Sequence, residues 1–197
     1  MSAQTFHDIS AVLAIIAIVG VVALVIVRLV PSVATVRISA AVHRVQLWAA
    51  AAVAVGATLG SLVFSEHFGW IPCRFCWFQR IFMFSSAVIL VIAAIRRDRG
   101  VKWYAGPLAG IGLAISTYHN FIERGFIADS KECAATTPCA VPNLISFGGR
   151  DEITLQPTGF PSITLAVMAF CGFAAILALL LLPEPLEAEE DGESTAG

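Results

Sequence analysis

The chain has 197 residues, of which 58% are hydrophobic and 13% charged, and its formal net charge is -2. Ordinary soluble domains carry about 25% charged residues, so a soluble globular class is excluded and lipid is the expected solvent; no nucleic-acid partner is expected. A bilayer core about 30 Å thick needs roughly 20 apolar residues at about 1.5 Å each, and that length sets the unit in which the chain is read.

Five runs meet it, each able to satisfy its own backbone as a helix: Ile9 to Val27, Val45 to Phe64, Phe75 to Ile95, Trp103 to Ile122 and Pro161 to Leu182. Residues 1–8 contain Asp8 and no Lys or Arg, while Arg28 follows the first run. A cleavable signal peptide has the reverse pattern, so this run is expected to stay as a span. Arg28, Arg37, Arg44, Arg96, Arg97, Arg99 and Lys102 all fall in the connections after the first and third runs. Those connections are therefore expected in the cytoplasm. The Ser65 to Arg74 hairpin and the segment between Ile122 and Pro161 then face outward. The tail from Glu184 holds six acidic residues and no basic one, and is expected to be solvated, disordered and cytoplasmic. Gly106, Gly110 and Gly112 in the fourth run are expected to serve close helix packing.

Five cysteines are placed as two pairs and a single residue: Cys73 and Cys76 in C-x2-C, Cys133 and Cys139 in C-x5-C, and Cys171 within an apolar run. Both pairs fall in outward-facing segments, the side on which disulfides persist. The stretch from Gly69 to Arg80 (GWIPCRFCWFQR) puts the first pair at the outer start of a membrane helix. A helix N-terminus carries unpaired N–H groups and roughly +0.5 of charge, which favours a thiolate. Arg80, four residues after Cys76, shares its helix face; its fixed fork of donors suits a developing anion on a quinone carbonyl. Snorkelling to headgroups is the plain alternative. The second pair lies in a long segment rich in Gly and Pro, where exchange between sulfurs can occur; a structural staple is the alternative. Cys171 is expected to act as a small hydrophobe. Trp70, Trp77, Trp103 and Tyr104 suit an interfacial belt.

The run from Pro72 to Arg80, then Tyr118 and His119 at the outer end of the fourth span, then a loop pair ending Pro138-Cys139, resembles the DsbB/BdbC family of disulfide bond formation proteins. The likeness covers about Val45 to Leu182. It implies an all-α integral membrane protein, a DsbB-like four-helix bundle plus one extra N-terminal transmembrane helix. The expected division is 1–44 for the extra helix and a basic cytoplasmic loop, 45–182 for the four-helix catalytic unit with an outer loop at 123–160, and 183–197 for the acidic tail.

By the same resemblance the chain is a thiol:quinone oxidoreductase of the bacterial cytoplasmic membrane. An extracytoplasmic DsbA-like thioredoxin-fold partner attacks Cys133; Cys139 exchanges with Cys73; Cys76 lies beside the quinone, either menaquinone or ubiquinone. Arg80, His119 and Trp77 are the expected quinone-binding residues, with Phe78 a second candidate flank for the ring. Gln79 stands where some members carry an acidic residue, and the spacing of the loop pair is nearer the BdbC branch. Two alternatives remain open. One is a vitamin K epoxide reductase-like enzyme, in which the loop pair precedes the helix-end pair. The other is a non-enzymatic membrane protein with cysteine-ligated metal, for which Cys133, Cys139 and His119 offer ligands; no metal is the expectation.

Overall fold

The computed structural model describes residues 2–30, 33–128, 139 and 163–182, and every regular element among them is helical. Ser2 opens α1 (Ala3–Leu29) by accepting the Thr5 N–H on its hydroxyl at 3.2 Å, so the helix starts six residues before the apolar run. α2 (Val33–Leu62) follows and passes into a π-helical turn at Val63–His67. α3 (Arg74–Arg96) and α4 (Lys102–Glu123) are joined by a tight turn, and α5 spans Leu165–Leu180.

Two boundaries differ from expectation. The basic connection expected over 28–44 is largely helix, because α2 starts at Val33 and carries Arg37 and Arg44. Its 30 residues are about 45 Å long, more than a bilayer core requires. At the other end, α5 starts at Leu165 because Thr164 caps it, accepting the Val167 N–H. Pro161 and Ser162, like Cys133 and the acidic tail, lie outside the described residues.

By length and composition, Thr5–Leu29, Arg37–His67 and Arg74–Arg96 can cross a membrane, and Leu165–Leu180 is a shorter apolar helix. α2, α3, α4 and α5 pack in a closed ring, with α1 against α5 and α2 on its outside. The Arg28 guanidinium donates to the Leu181 carbonyl at 3.1 Å, while His7 lies beside the Ile163 backbone. α1 and α5 therefore run parallel, joined near both ends.

Small residues set the ring's spacing. Ala50, Ala51, Ala54, Ala93, Ala94, Ala105 and Ala109 are buried around Leu90, Phe173 and Ile176, and close approach of backbones supplies the van der Waals packing that lipid cannot replace. Of the three glycines expected to pack closely, Gly112 does so: a Cβ there would collide with the Phe173 ring. At Gly106 and Gly110 a Cβ would meet nothing within 4 Å, so those two do not serve that purpose. Large side chains on the outside, among them Leu13, Ile16, Val88 and Ile92, form the surface that lipid covers.

At the turn between α3 and α4 Arg97 takes a left-handed conformation (φ 54°) and Asp98 accepts the Gly100 N–H and the Tyr104 hydroxyl proton. That carboxyl sits below the ordinary carboxylate range because both donors favour its charged form. At the opposite end of the bundle, Phe64 stacks on Trp70 with ring centroids 4.5 Å apart, and Phe6 of α1 meets Phe64 edge-on at 4.9 Å. Trp70 is therefore part of an internal aromatic cluster, whereas Trp103 and Tyr104 are exposed as an interfacial belt requires. Gly69, at φ 70°, reverses the chain beneath this cluster and delivers Pro72 and Cys73 to the start of α3.

Candidate functional site

Cys73 is the N-cap of α3. Its sulfur accepts the Cys76 backbone N–H at 3.4 Å and lies 3.0 Å from the Cys76 sulfur, the two being unbonded. One turn of helix thus aligns both sulfurs, which explains the chemistry of the two-residue spacing. Cys73 is buried, and its thiol is pushed up to about 12 by its hydrogen bond to Cys76 and by burial. The expectation that the helix end favours a thiolate is therefore reversed at Cys73: loss of water and the neighbouring sulfur outweigh the cap.

His119 of α4 stands over the pair. Its Nε2 is 3.6 Å from the Cys73 sulfur and 3.3 Å from the Cys139 carbonyl oxygen. The Gln79 amide donates to His119 Nδ1 at 3.3 Å. With Nδ1 accepting, the proton of a neutral ring is on Nε2, facing the sulfur and the carbonyl. Glu123, one turn further along α4, places a carboxylate oxygen 3.8 Å from Nε2, and its other oxygen accepts the Thr164 hydroxyl proton at 2.5 Å.

Cys139 is buried in one cluster with Cys73 and Ile122, against which Phe75, Cys76 and Ile127 pack. The one described residue of the loop pair therefore sits beside the helix-end pair. Arg80 turns toward α2 and not toward the membrane surface: Nε donates to the Ser61 hydroxyl and a terminal nitrogen to the Ser61 carbonyl, both at 2.8 Å.

These groups open on a single cavity of about 510 Å³. Cys73, Cys76, Gln79, Arg80, His119, Glu123 and Cys139 line its polar end, and the rest of its wall is almost entirely apolar. Size and lining fit an apolar ring with a few placed polar groups. Trp77 does not line it. Its ring lies under the Arg80 guanidinium, 5.4 Å from centroid to Cζ, and is 54% exposed.

Residues 42–182 match the family described as "Disulfide bond formation protein DsbB". The chain belongs to the DsbB family. A "Probable disulfide formation protein" of Deinococcus radiodurans is 41% identical over 138 residues, 70% of this chain and 88% of the relative. "Disulfide bond formation protein C" of Bacillus subtilis is 38% identical over 127 residues, 64% of this chain and 89% of that one. A further "Probable disulfide formation protein", from Metapseudomonas resinovorans, is 38% identical over 130 residues. No solved structure gives a significant match.

The DsbB-family chain is thus an all-helical, multi-pass membrane protein of disulfide formation, and the names of its family and relatives imply oxidoreductase activity. The ring of α2 to α5 falls within the matched residues except for the first nine residues of α2, while α1 precedes them. Ser61, Glu123 and Thr164 join the site without having been read from the sequence. Only Glu123 had a local signal, four residues after His119 on one helix face. Cys73, Cys76 and His119 also place their ligand atoms within 4.8 Å of one another, a set that could hold a metal ion.

Proposed function

We propose that the chain reoxidises an extracytoplasmic DsbA-like thioredoxin-fold protein and passes its electrons to a membrane quinone, with both cysteine pairs on the outer face. The observation that carries this reading is the opening of Cys73, Cys76, His119 and Arg80 on one largely apolar cavity, with Cys139 beside them. A structural staple or a metal knuckle has no use for such a cavity.

In the proposed relay a thiolate of the partner attacks Cys133 of a Cys133–Cys139 disulfide, releasing Cys139 as thiolate. The partner's second thiol then displaces Cys133 and leaves the partner oxidised. Cys139 attacks Cys73 of a Cys73–Cys76 disulfide, and Cys76 leaves as thiolate. Cys133 closes on Cys139, freeing Cys73, which takes up a proton. Two electrons then leave the Cys73/Cys76 pair as its disulfide re-forms, accompanied by the one proton on Cys73 and by a second proton drawn from solvent, equal to the one that the partner's second thiol released. A bound quinone supplies the acceptor for both.

Arg80, held by Ser61, presents fixed positive charge where negative charge develops. Trp77 acts on Arg80 from the lipid side through its ring face. Nε2–H of His119 holds a proton next to Cys73, and Glu123 opposite it can replace that proton. Purified protein given a reduced thioredoxin-fold substrate and a quinone should reduce the quinone stoichiometrically with substrate oxidation. Full activity in both Cys76→Ser and Cys139→Ala would falsify the relay.

A further inference from the structure

α1 precedes the residues that match the family, yet it forms one wall of the cavity. Leu13, Ala14 and Ala17 of α1 face Ala52, Gly56 and Gly60 of α2 across it. Small residues spaced four apart on α2 ordinarily bring helices into contact. Here they leave room: a Cβ added at Gly56 or Gly60 would meet nothing within 4 Å. The space is continuous with the redox end, since the same cavity reaches Ser61, Arg80 and Cys76. From Ser61 to Ala52 it follows α2 for about 13 Å at the helical rise, into the depth where hydrocarbon belongs. α1 is held beside this gap by the Phe6–Phe64 contact at its outer end and by the Arg28–Leu181 hydrogen bond to the end of α5 at its inner end.

We propose that α1 is the lipid-side wall of a channel that takes the apolar tail of the quinone, so that this helix helps to select tail-bearing quinones and to hold them at Cys76. The inference rests on the quinone reading above. Its chemistry is that of an uncharged, flexible hydrocarbon chain: no charged side chain lines the space between α1 and α2 inward of Ser61 among the described residues.

The test uses the full chain in phosphatidylglycerol/phosphatidylcholine nanodiscs and a quinone with a photoreactive diazirine in its alkyl tail. Adducts are expected on α1 between Ser10 and Ala17 and on α2 between Ala52 and Gly60, and an unlabelled long-tailed quinone should compete them away. Gly56→Leu fills the open space, and Ala17→Leu fills it from the opposite wall. Each should cut labelling and raise the ratio of KM for a long-tailed quinone to KM for a tailless one by about tenfold. Thermal unfolding shows that either variant is folded. Adducts absent from α1, adducts that quinone does not displace but phospholipid does, or an unchanged KM ratio in both folded variants would overturn the channel. If wild-type protein reduces no quinone of either kind, the quinone reading itself fails.

Discussion

Arg80 is clamped by Ser61, whose hydroxyl and carbonyl oxygens each accept one guanidinium hydrogen bond at 2.8 Å. α2 thereby fixes the position of a charge carried on α3, nineteen residues later. Ser61→Ala keeps the carbonyl and loses the hydroxyl acceptor. A hydrogen bond to a charged group is worth about 1.5–3 kcal/mol, so we predict KM for quinone to rise by about tenfold. Exchange between partner and Cys133, followed by stopped flow without quinone, should keep its rate. An unaltered KM would detach Ser61 from the site.

Cys76 of α3 and Cys171 of α5 have opposite expected fates. Cys76→Ser should abolish quinone reduction, because the relay loses its last sulfur. Cys171, buried in α5 away from the cavity lining, should tolerate Cys171→Ala with activity retained and a stability loss on the order of 1 kcal/mol. Steady-state assays and thermal melts of both variants check this; an inactive but folded Cys171→Ala protein would contradict it.

Alkaline titration gives a third prediction. Cys73 has its ordinary value near 9.0 raised to about 12 in the folded chain. Between those values the folded state keeps a proton that the unfolded state has released. Stability of the reduced protein should therefore fall as pH rises through this window, and be unaffected by Cys73 below it. Alkylation of Cys73 in reduced native protein, mapped by mass spectrometry, should be minor at pH 9 and grow above pH about 10. Half-modification near pH 9 in short exposure would show an unshifted thiol.

Gly112 offers a test of packing alone. A Cβ there collides with Phe173, which is fully buried. Gly112→Ala should cost about 1–3 kcal/mol, read as a lower unfolding temperature in detergent. Phe173→Leu in the same chain should recover part of that loss. Additive destabilisation of the pair would place the strain elsewhere.

All five helices were legible because lipid makes the hydrophobic run itself the signal. Hydropathy does not see a helix leave the membrane, which is why the start of α2 at Val33 was hidden beneath Arg37 and Arg44. The cysteine pair and Arg80 were legible from spacing, since C-x2-C and i,i+4 relations are local, whereas His119 was legible only through the family resemblance. The Ser61 clamp, the Gln79–His119 bond and the Glu123–Thr164 bond join different helices or capping segments, and no local pattern encodes such pairs. Trp77 was expected in the quinone site. One residue beyond Cys76 is about 100° around a helix, which turns its ring to the lipid side with Ile81, while Cys76, Arg80 and Met83 keep the cavity face.

The parallel pairing of α1 with α5 bears on how the protein comes to be active. Arg28 and Leu181 are 153 residues apart, and contacts of such separation form late, because the intervening chain must first be placed. During synthesis, α1 through α4 enter the bilayer without the partner that completes both the ring and the cavity wall. Cys73 and Cys76 then open on a cavity that still lacks one wall. Leu165, Met168, Ala169 and Phe173 supply that missing wall, so under the proposed relay a ribosome stalled before Leu165 would leave behind a cysteine pair with no enclosure.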